Sequence, residues 1–197
     1  MSNLNTFSIL VLFFTLFISL NANGQGTIGD IDPTPDDPIL SQPHGTNMIS
    51  CDAYGSITYN GHTIEEFNAT KGDPTDLKQL VGPPTSVNME NSIIGEVVYI
   101  YNGNRVTFGE SVLGAMIITN SDWPITVLGK HVSVGTSFSS LQQKFGSNLK
   151  ILPGTFNNPE ADYAVGFNCN INEADGIHIA LNSETDKVIQ IKYWVNP

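Results

Sequence analysis

One pattern of turn signals occurs twice in the 197-residue chain, and this repeat constrains the fold more than any other feature. Residues 57–64 read ITYNGHTI, and residues 125–132 read ITVLGKHV. Both segments place strand-forming residues on either side of a dipeptide that ends in Gly, which is typical of a β-hairpin with a tight turn. The repeat predicts two similar halves, about residues 50–120 and about residues 121–197. Chance similarity is the alternative, since turn residues are common.

A short helix signal follows each predicted hairpin. Residues 74–82 read PTDLKQLVG and residues 136–146 read TSFSSLQQKFG, and each segment has a capping residue at its start and a Gly at its end. Three strand candidates follow each helix. The sequence therefore predicts an α+β fold. Each half is expected to contain a β-hairpin, a short helix and a three-stranded antiparallel meander, with the helices on one face of the sheets.

The residues of this module resemble a known small helix-plus-sheet fold. Residues 60–64 (NGHTI) and 81–83 (VGP) are similar to the signature of uncharacterised exported bacterial domains. The order of elements resembles the β-lactamase inhibitor protein, which has two tandem copies, and the SmpA/OmlA-type outer-membrane assembly lipoproteins, which have one. The resemblance covers about residues 50–195 and implies a fold rather than an activity. No inhibitor contact residue is carried over from it.

The N-terminus is typical of an export signal. Residues 7–20 form an apolar run that would span roughly 21 Å as a helix, which is short of the ~30 Å hydrocarbon core of a membrane. Small residues precede a predicted cleavage site after Gly24, so residues 1–24 are predicted to be a signal peptide. The first six residues carry no Lys or Arg, and an uncleaved anchor or a buried helix is the alternative. No lipobox Cys follows the apolar run, which argues against the assembly-lipoprotein role. We therefore expect a periplasmic or extracellular protein without a stable membrane anchor.

An acidic spacer is predicted between the signal peptide and the folded domain. Residues 25–45 contain four Asp, four Pro and no basic residue, so they are expected to be disordered, and the domain is expected to span residues 46–197. The whole chain has a formal net charge of −11 and no basic patch. This charge disfavours nucleic-acid binding, which depends on clusters of Lys and Arg.

Two cysteines occur in the domain, Cys51 and Cys169. An even number of cysteines in an exported chain favours a disulfide, which would tie the start of the domain to a strand near its end. Two buried thiols are the alternative.

The sequence contains none of the common catalytic or cofactor-binding motifs. It has no His-Glu-x-x-His, no Gly-x-Ser-x-Gly, no Cys-x-x-Cys and no Gly-rich phosphate loop, and its four histidines are dispersed. We therefore expect no enzyme activity, no cofactor and no metal site.

Strand alternation gives a candidate binding face. If Val98, Ile100, Val106 and Phe108 face the helices, the residues between them face the other way. The predicted outward set is rich in Tyr, Trp, Arg and His, which is the composition of protein-binding hot spots. Its members are Tyr99, Tyr101, Arg105, Thr107, His178, Lys192 and Trp194. Packing of these aromatic residues against the other half or the spacer is the alternative.

The sequence thus favours an exported, non-catalytic protein-binding module, such as an inhibitor or immunity-type protein. A structural or assembly protein of the cell envelope is the alternative function, and an enzyme is the third.

Overall fold

The computed structural model describes residue 39 and residues 42–91, 95–154, 156–170 and 176–194. The predicted signal peptide and most of the predicted spacer lie outside the described residues. The described part has the predicted α+β fold, with two antiparallel hairpins, short helices and a large sheet. Its helices are α1 (Cys51–Gly55), α2 (Ile64–Ala69), α3 (Pro74–Val81) and α4 (Phe138–Phe145). Its strands are β1 (Asn47–Met48), β2 (Thr58–Tyr59), β3 (His62–Thr63), β4 (Ser86–Asn91), β5 (Glu96–Tyr101), β6 (Asn104–Gly109), β7 (Val112–Ile118), β8 (Ile125–Val127), β9 (Lys130–Val132), β10 (Leu152–Pro153), β11 (Tyr163–Asn168), β12 (Gly176–Asn182) and β13 (Lys187–Trp194).

A nine-stranded sheet forms the larger layer. Its strand order is β1-β11-β12-β13-β7-β6-β5-β4, and β10 pairs with β11 beside β1. Strands β4 to β7 form one meander and β10 to β13 form another, and the two meanders join where β7 pairs antiparallel with β13. The pairing of β1 with β11 is parallel, whereas the meander strands pair antiparallel.

The two predicted hairpins form a small second sheet of order β3-β2-β8-β9. Their first strands pair with each other, with Thr58 opposite Thr126. Both turns have two consecutive residues with positive φ, as a type I′ turn requires. Asn60 and Gly61 have φ values of 51° and 89°, and the aligned Leu128 and Gly129 have 50° and 71°. Leu128 thus adopts a conformation that Asn tolerates more readily than a branched apolar residue.

The helix ends follow the local sequence signals. The Asp73 side chain accepts hydrogen bonds from the first turn of α3, and Pro74 occupies its first position, where no backbone donor is needed. Ser137 caps α4 in the same way by accepting from the Ser140 amide. Both helices end at a Gly with positive φ, Gly82 and Gly146, as predicted.

The two halves share the order hairpin, helix, meander, which is compatible with the predicted duplication. Each meander, however, has four strands and not the predicted three. The additional strands are β4, an edge strand of alternating polar and apolar residues, and β10, which has two residues and contains Pro153. Both give weak strand signals, because the two apolar residues of β4, Val87 and Met89, are exposed and β10 is only two residues long. The first half also contains two further helices, α1 and α2, and a capping box of Thr63 and Glu66 forms the N-terminus of α2.

The core is one cluster of buried apolar side chains that joins both sheets and the helices. The Tyr59 ring of the small sheet lies edge-on to the Tyr193 ring of the large sheet, with centroids 6.0 Å apart. Ile39 is also buried in this core, and the Gly45 amide donates to the Ile151 carbonyl at 2.8 Å. The domain therefore includes residues that the sequence assigned to the spacer, because Ile39 buries an apolar side chain and residues 43–45 find backbone partners.

Within the described ranges, no helix is both long enough and apolar enough to span a bilayer.

Cys51 and Cys169 form a disulfide, in agreement with the interpretation favoured by the sequence. Cys51 begins α1, and Cys169 directly follows β11, with their Cα atoms 4.8 Å apart. The Ile49 amide donates to the Asn168 carbonyl at 3.0 Å beside the bridge, so noncovalent pairing also brings these two segments together.

We expect the double substitution of Cys51→Ser and Cys169→Ser to lower the free energy of unfolding by about 2–5 kcal/mol. The reason is that the bridge joins residues 118 positions apart and so restricts a long loop in the unfolded chain. Urea unfolding of the oxidised, reduced and doubly substituted proteins measures the change. Two alkylated thiols in the unreduced protein would contradict the bridge itself.

Candidate functional site

The structure places the seven predicted binding residues on two different faces of the large sheet. Tyr99 and Tyr101 belong to the buried face, with exposures of 4% and 6%. In β6, Val106 and Phe108 share that buried face with them, because directly paired residues of neighbouring strands point to the same side. The prediction that both tyrosines face outward is therefore wrong.

The error lies in the assignment of the β5 residues to the two faces of the sheet. Residues 97–101 are apolar or aromatic at every position, so alternation within the strand carries no information about its two faces. The two-residue turn at Asn102 and Gly103 fixes the register, since it pairs Tyr101 with Asn104 and hence Tyr99 with Val106. The length of this turn, which can be read from the sequence, therefore indicates the face on which Tyr99 and Tyr101 lie.

Both tyrosines are integrated into the core. The Tyr99 hydroxyl donates to the Gly72 carbonyl at 2.5 Å, which links β5 to the segment before α3. The Tyr101 ring packs on Trp123 with centroids 5.0 Å apart, and burial raises the pKa of Tyr101 to about 12. The Tyr101 hydroxyl is buried and has no hydrogen-bond partner among the described residues.

The other five predicted residues lie together on the opposite face of the sheet. One row of paired residues runs from His178 through Lys192 and Ile117 to Arg105. The next row runs from Trp194 through Ala115 to Thr107. The β7–β13 pairing makes these rows continuous across the two halves. We call the set Arg105, Thr107, His178, Lys192 and Trp194 the Trp194 face.

One end of the Trp194 face is a pocket of about 290 Å³. Its described lining residues are Phe156, Asn157, His178, Lys192 and Trp194. The Lys192 ammonium lies 4.2 Å from the centroid of the Trp194 ring, in a cation–π contact. The His178 ring packs against Phe156 with centroids 5.0 Å apart. The pocket therefore has aromatic walls and two basic side chains.

Sequence reasoning missed Phe156 and Asn157, because the loop between β10 and β11 has no periodic pattern. Both residues have positive φ, 49° and 63°, which is uncommon for any residue other than Gly and strained for a Phe. The Gln190 amide donates to the Phe156 carbonyl at 3.4 Å, and the Gly154 amide donates to the Asp162 carbonyl at 2.9 Å. These contacts hold the loop so that the Phe156 ring lies against His178.

Burial changes the acid–base properties of the pocket. Desolvation, and to a lesser degree the positive charge of Lys192, lowers the pKa of His178 below its usual value of 6.5. Desolvation likewise lowers the pKa of Lys192 below its ordinary value. At neutral pH the pocket therefore holds a neutral His178 imidazole beside the Lys192 side chain.

The dispersed histidines do not form a metal centre in the part of the chain that the structure describes. No group of three or more His, Cys, Asp or Glu side chains is placed there to hold an ion. His131 pairs with the Thr126 hydroxyl at 3.0 Å, and His62 lies 3.8 Å from Glu66. The His131 contact lies within the β8–β9 hairpin, and the His62 contact joins the β2–β3 hairpin to α2.

A second pocket, of about 220 Å³, lies beside Tyr101 and Trp123. Its polar residues are engaged with one another: the Asn102 amide donates to Asp122 at 3.2 Å, and the Asn104 amide donates to Asn120 at 3.1 Å. This network fastens the β5–β6 turn to the segment after β7, which gives these residues a structural role.

Comparison with known proteins assigns no family, because no family model and no curated protein matches the chain. A similar solved structure is described as an extracellular protein containing a SCP domain from Bacillus anthracis str. Ames. It is 13% identical with a TM-score of 0.41, and the match covers 64% of this chain and 43% of that chain. The chain thus spans less than half of that structure, and similarity at this level carries no argument about fold or function.

We expect Tyr101→Ala to lower the free energy of unfolding by about 3–5 kcal/mol, because it leaves a cavity beside Trp123. Tyr101→Phe is the matched control. It keeps the ring and removes only a buried hydroxyl without a described partner, so we expect no loss of stability and a gain of up to about 1 kcal/mol. Urea unfolding measures both variants. Equal free energies of unfolding for Tyr101→Ala and the wild type would show that the Tyr101 side chain lies at the surface.

We expect the free energy of unfolding to fall as the pH is lowered from about 7 to about 5, and His178→Gln to reduce that slope. The lowered pKa of His178 in the folded state means that the unfolded state binds more protons in this window, so protonation favours unfolding. Exposed His131→Gln is the matched control. Equal slopes for the wild type and His178→Gln would show that His178 is not desolvated by the pocket.

Proposed function

We propose that this chain is an exported, non-catalytic module that binds a protein partner through the Trp194 face, as an inhibitor or immunity-type protein does. The observation that carries the proposal is the continuity of this face across the joined meanders. Trp194, at 36% exposure, lies beside Lys192, and Arg105 lies in the same row as Lys192. Trp and Arg are the side chains that most often dominate the energy of protein interfaces.

The aromatic and basic composition of this face supports a protein partner over a nucleic acid. Binding of phosphate backbones requires several neutralising cations, whereas the chain has eight Lys and Arg against 19 Asp and Glu. A face with two strong cations in a chain of net charge −11 suits local pairing with acidic side chains. Because screening at physiological salt acts over about 8 Å, the remaining negative charge of the molecule opposes such pairing only weakly.

Export is supported by two independent features. The apolar run of residues 7–20 has the length of a signal-peptide core, and the Cys51–Cys169 disulfide suits an oxidising compartment. The resemblance of the module's order of elements to the β-lactamase inhibitor protein supports the inhibitor form of the proposal.

The proposal is tested by affinity capture from the native host under mild conditions, with the exported protein as bait. We expect a stoichiometric protein partner, an exported chain that begins at Gln25, and capture that Trp194→Ala weakens by about tenfold or more. Leu128→Ala is the control, since it also removes an exposed apolar side chain but lies in the β8–β9 turn of the small sheet.

Failure to recover a stoichiometric partner, or equal capture by the wild type and Trp194→Ala, would contradict the proposal. Thermal unfolding of each variant shows whether a loss of capture reflects a loss of folded protein.

A further inference from the structure

Lys192 is unusual because it is enclosed and yet has no acidic partner among the described residues. Among the described residues it is the only charged side chain that is buried, at 7% exposure. The ion pair between His62 and Glu66 lies on the small-sheet side, and it does not involve Lys192. Its ammonium instead lies over the Trp194 ring and lines the pocket. A buried cation without an anion is costly, which points to an anion that arrives from outside.

The surrounding groups define the charge that the pocket accepts. His178 lies directly across the β12–β13 ladder from Lys192. Arg105 lies two strands away in the same row, about 10 Å at the usual strand spacing. The loop that covers the pocket contributes Phe156 and the neutral amide of Asn157. In the loop's continuation, the Asp162 carboxylate is occupied by the Ser183 hydroxyl and amide, at 2.7 Å and 2.9 Å.

We infer that this pocket binds a single carboxylate group attached to an apolar or aromatic body, with Lys192 Nζ and the His178 ring as its donors. One ammonium balances one negative charge, whereas a phosphate or sulfate dianion would lack a second cation among the described residues that line the pocket. Phe156 and Trp194 supply the walls for the apolar body. The desolvation of His178, which keeps its ring neutral, leaves one N–H to donate to a carboxylate oxygen.

The size of the pocket fits this ligand class. About 290 Å³ accommodates a small carboxylic acid, or one side chain or chain end of a protein. This inference rests on the proposed function only for the source of the carboxylate, which is either a residue of the partner protein or a free small acid. The chemistry of the pocket can be tested without a partner.

Benzoate is the probe for the first experiment, and benzamide, its neutral counterpart, is the control. The ring resonances of the four histidines are followed by NMR over about pH 5 to 8 in the exported wild-type protein. We expect benzoate to raise the pKa of His178, because a bound anion stabilises the imidazolium, and benzamide to leave it unchanged. Equal effects of the two compounds, or no effect of benzoate, would overturn the inference.

Variants identify the donor. We expect Lys192→Met to bind benzoate at least about tenfold more weakly, since it removes the ammonium and keeps the apolar stem. Lys187→Met, at an exposed position of the same strand, should bind as the wild type does. Lys192→Arg keeps the charge and should retain binding, which preserves the test if Lys192→Met does not fold. Unchanged affinity in Lys192→Met, or loss of binding in Lys187→Met as well, would overturn the inference.

The chain's own acidic residues are tested separately. Glu173 and Asp175 lie outside the described residues. They precede Gly176, which pairs with Trp194, so they are the acidic residues nearest to the pocket along the β12 segment. The double variant Glu173→Gln/Asp175→Asn should bind benzoate as the wild type does. Tighter binding in that variant would overturn the inference, because it would identify an internal carboxylate as the occupant.

Competition assigns the source of the carboxylate. If benzoate displaces the captured partner and Lys192→Met weakens its capture, the partner supplies the carboxylate. If the partner binds equally in both conditions while benzoate binding depends on Lys192, the ligand is a free small acid. If no partner is recovered and benzoate still binds through Lys192, the proposed function fails and the carboxylate site stands.

Discussion

The antiparallel pairing of β7 with β13 is the interaction on which the rest of the structure depends. It places Met116 opposite Tyr193 on the core side and Ile117 opposite Lys192 on the other side. Without it the large sheet would be two separate sheets of four and five strands, each with a meander from a half of about 70 residues that buries little apolar surface by itself. The pairing of β2 with β8 repeats the same principle in the small sheet. Both layers are therefore built from equivalent contacts between the halves.

Local signals in the sequence predicted the local structure well. The turn dipeptides gave both hairpins, and the glycines at 82 and 146 gave the ends of α3 and α4, because these features depend on backbone conformations that few residues adopt. The β7–β13 pairing that joins the halves was not predictable in the same way, since it depends on contacts between residues distant in sequence. Edge strand β4 was not predicted, because it has only two apolar residues, Val87 and Met89, and both are exposed.

The candidate site was predicted in part for the same reasons. Five of its seven proposed residues share a face because β6, β12 and β13 alternate clearly between polar and apolar positions. Strand β5 does not alternate, so only the turn at Asn102 and Gly103 determines which way Tyr99 and Tyr101 point. Phe156 reaches the pocket through a strained loop, and no periodicity indicates where a loop residue packs. The pocket could therefore be identified only from the tertiary structure.

The position of β13 in the chain has a consequence for how the protein folds. This strand follows every other described element in sequence, yet it lies in the middle of the large sheet. As a chain emerges from a ribosome or a translocation channel with its N-terminus first, the first meander can form while the hydrogen-bonding edge of β7 stays uncovered. Only the arrival of residues 187–194 closes that edge, and β12 and β13 also lie outside the ring closed by the Cys51–Cys169 bridge. Completion of the large sheet thus requires the last described strand, so the β7 edge remains unpaired until residues 187–194 are in place.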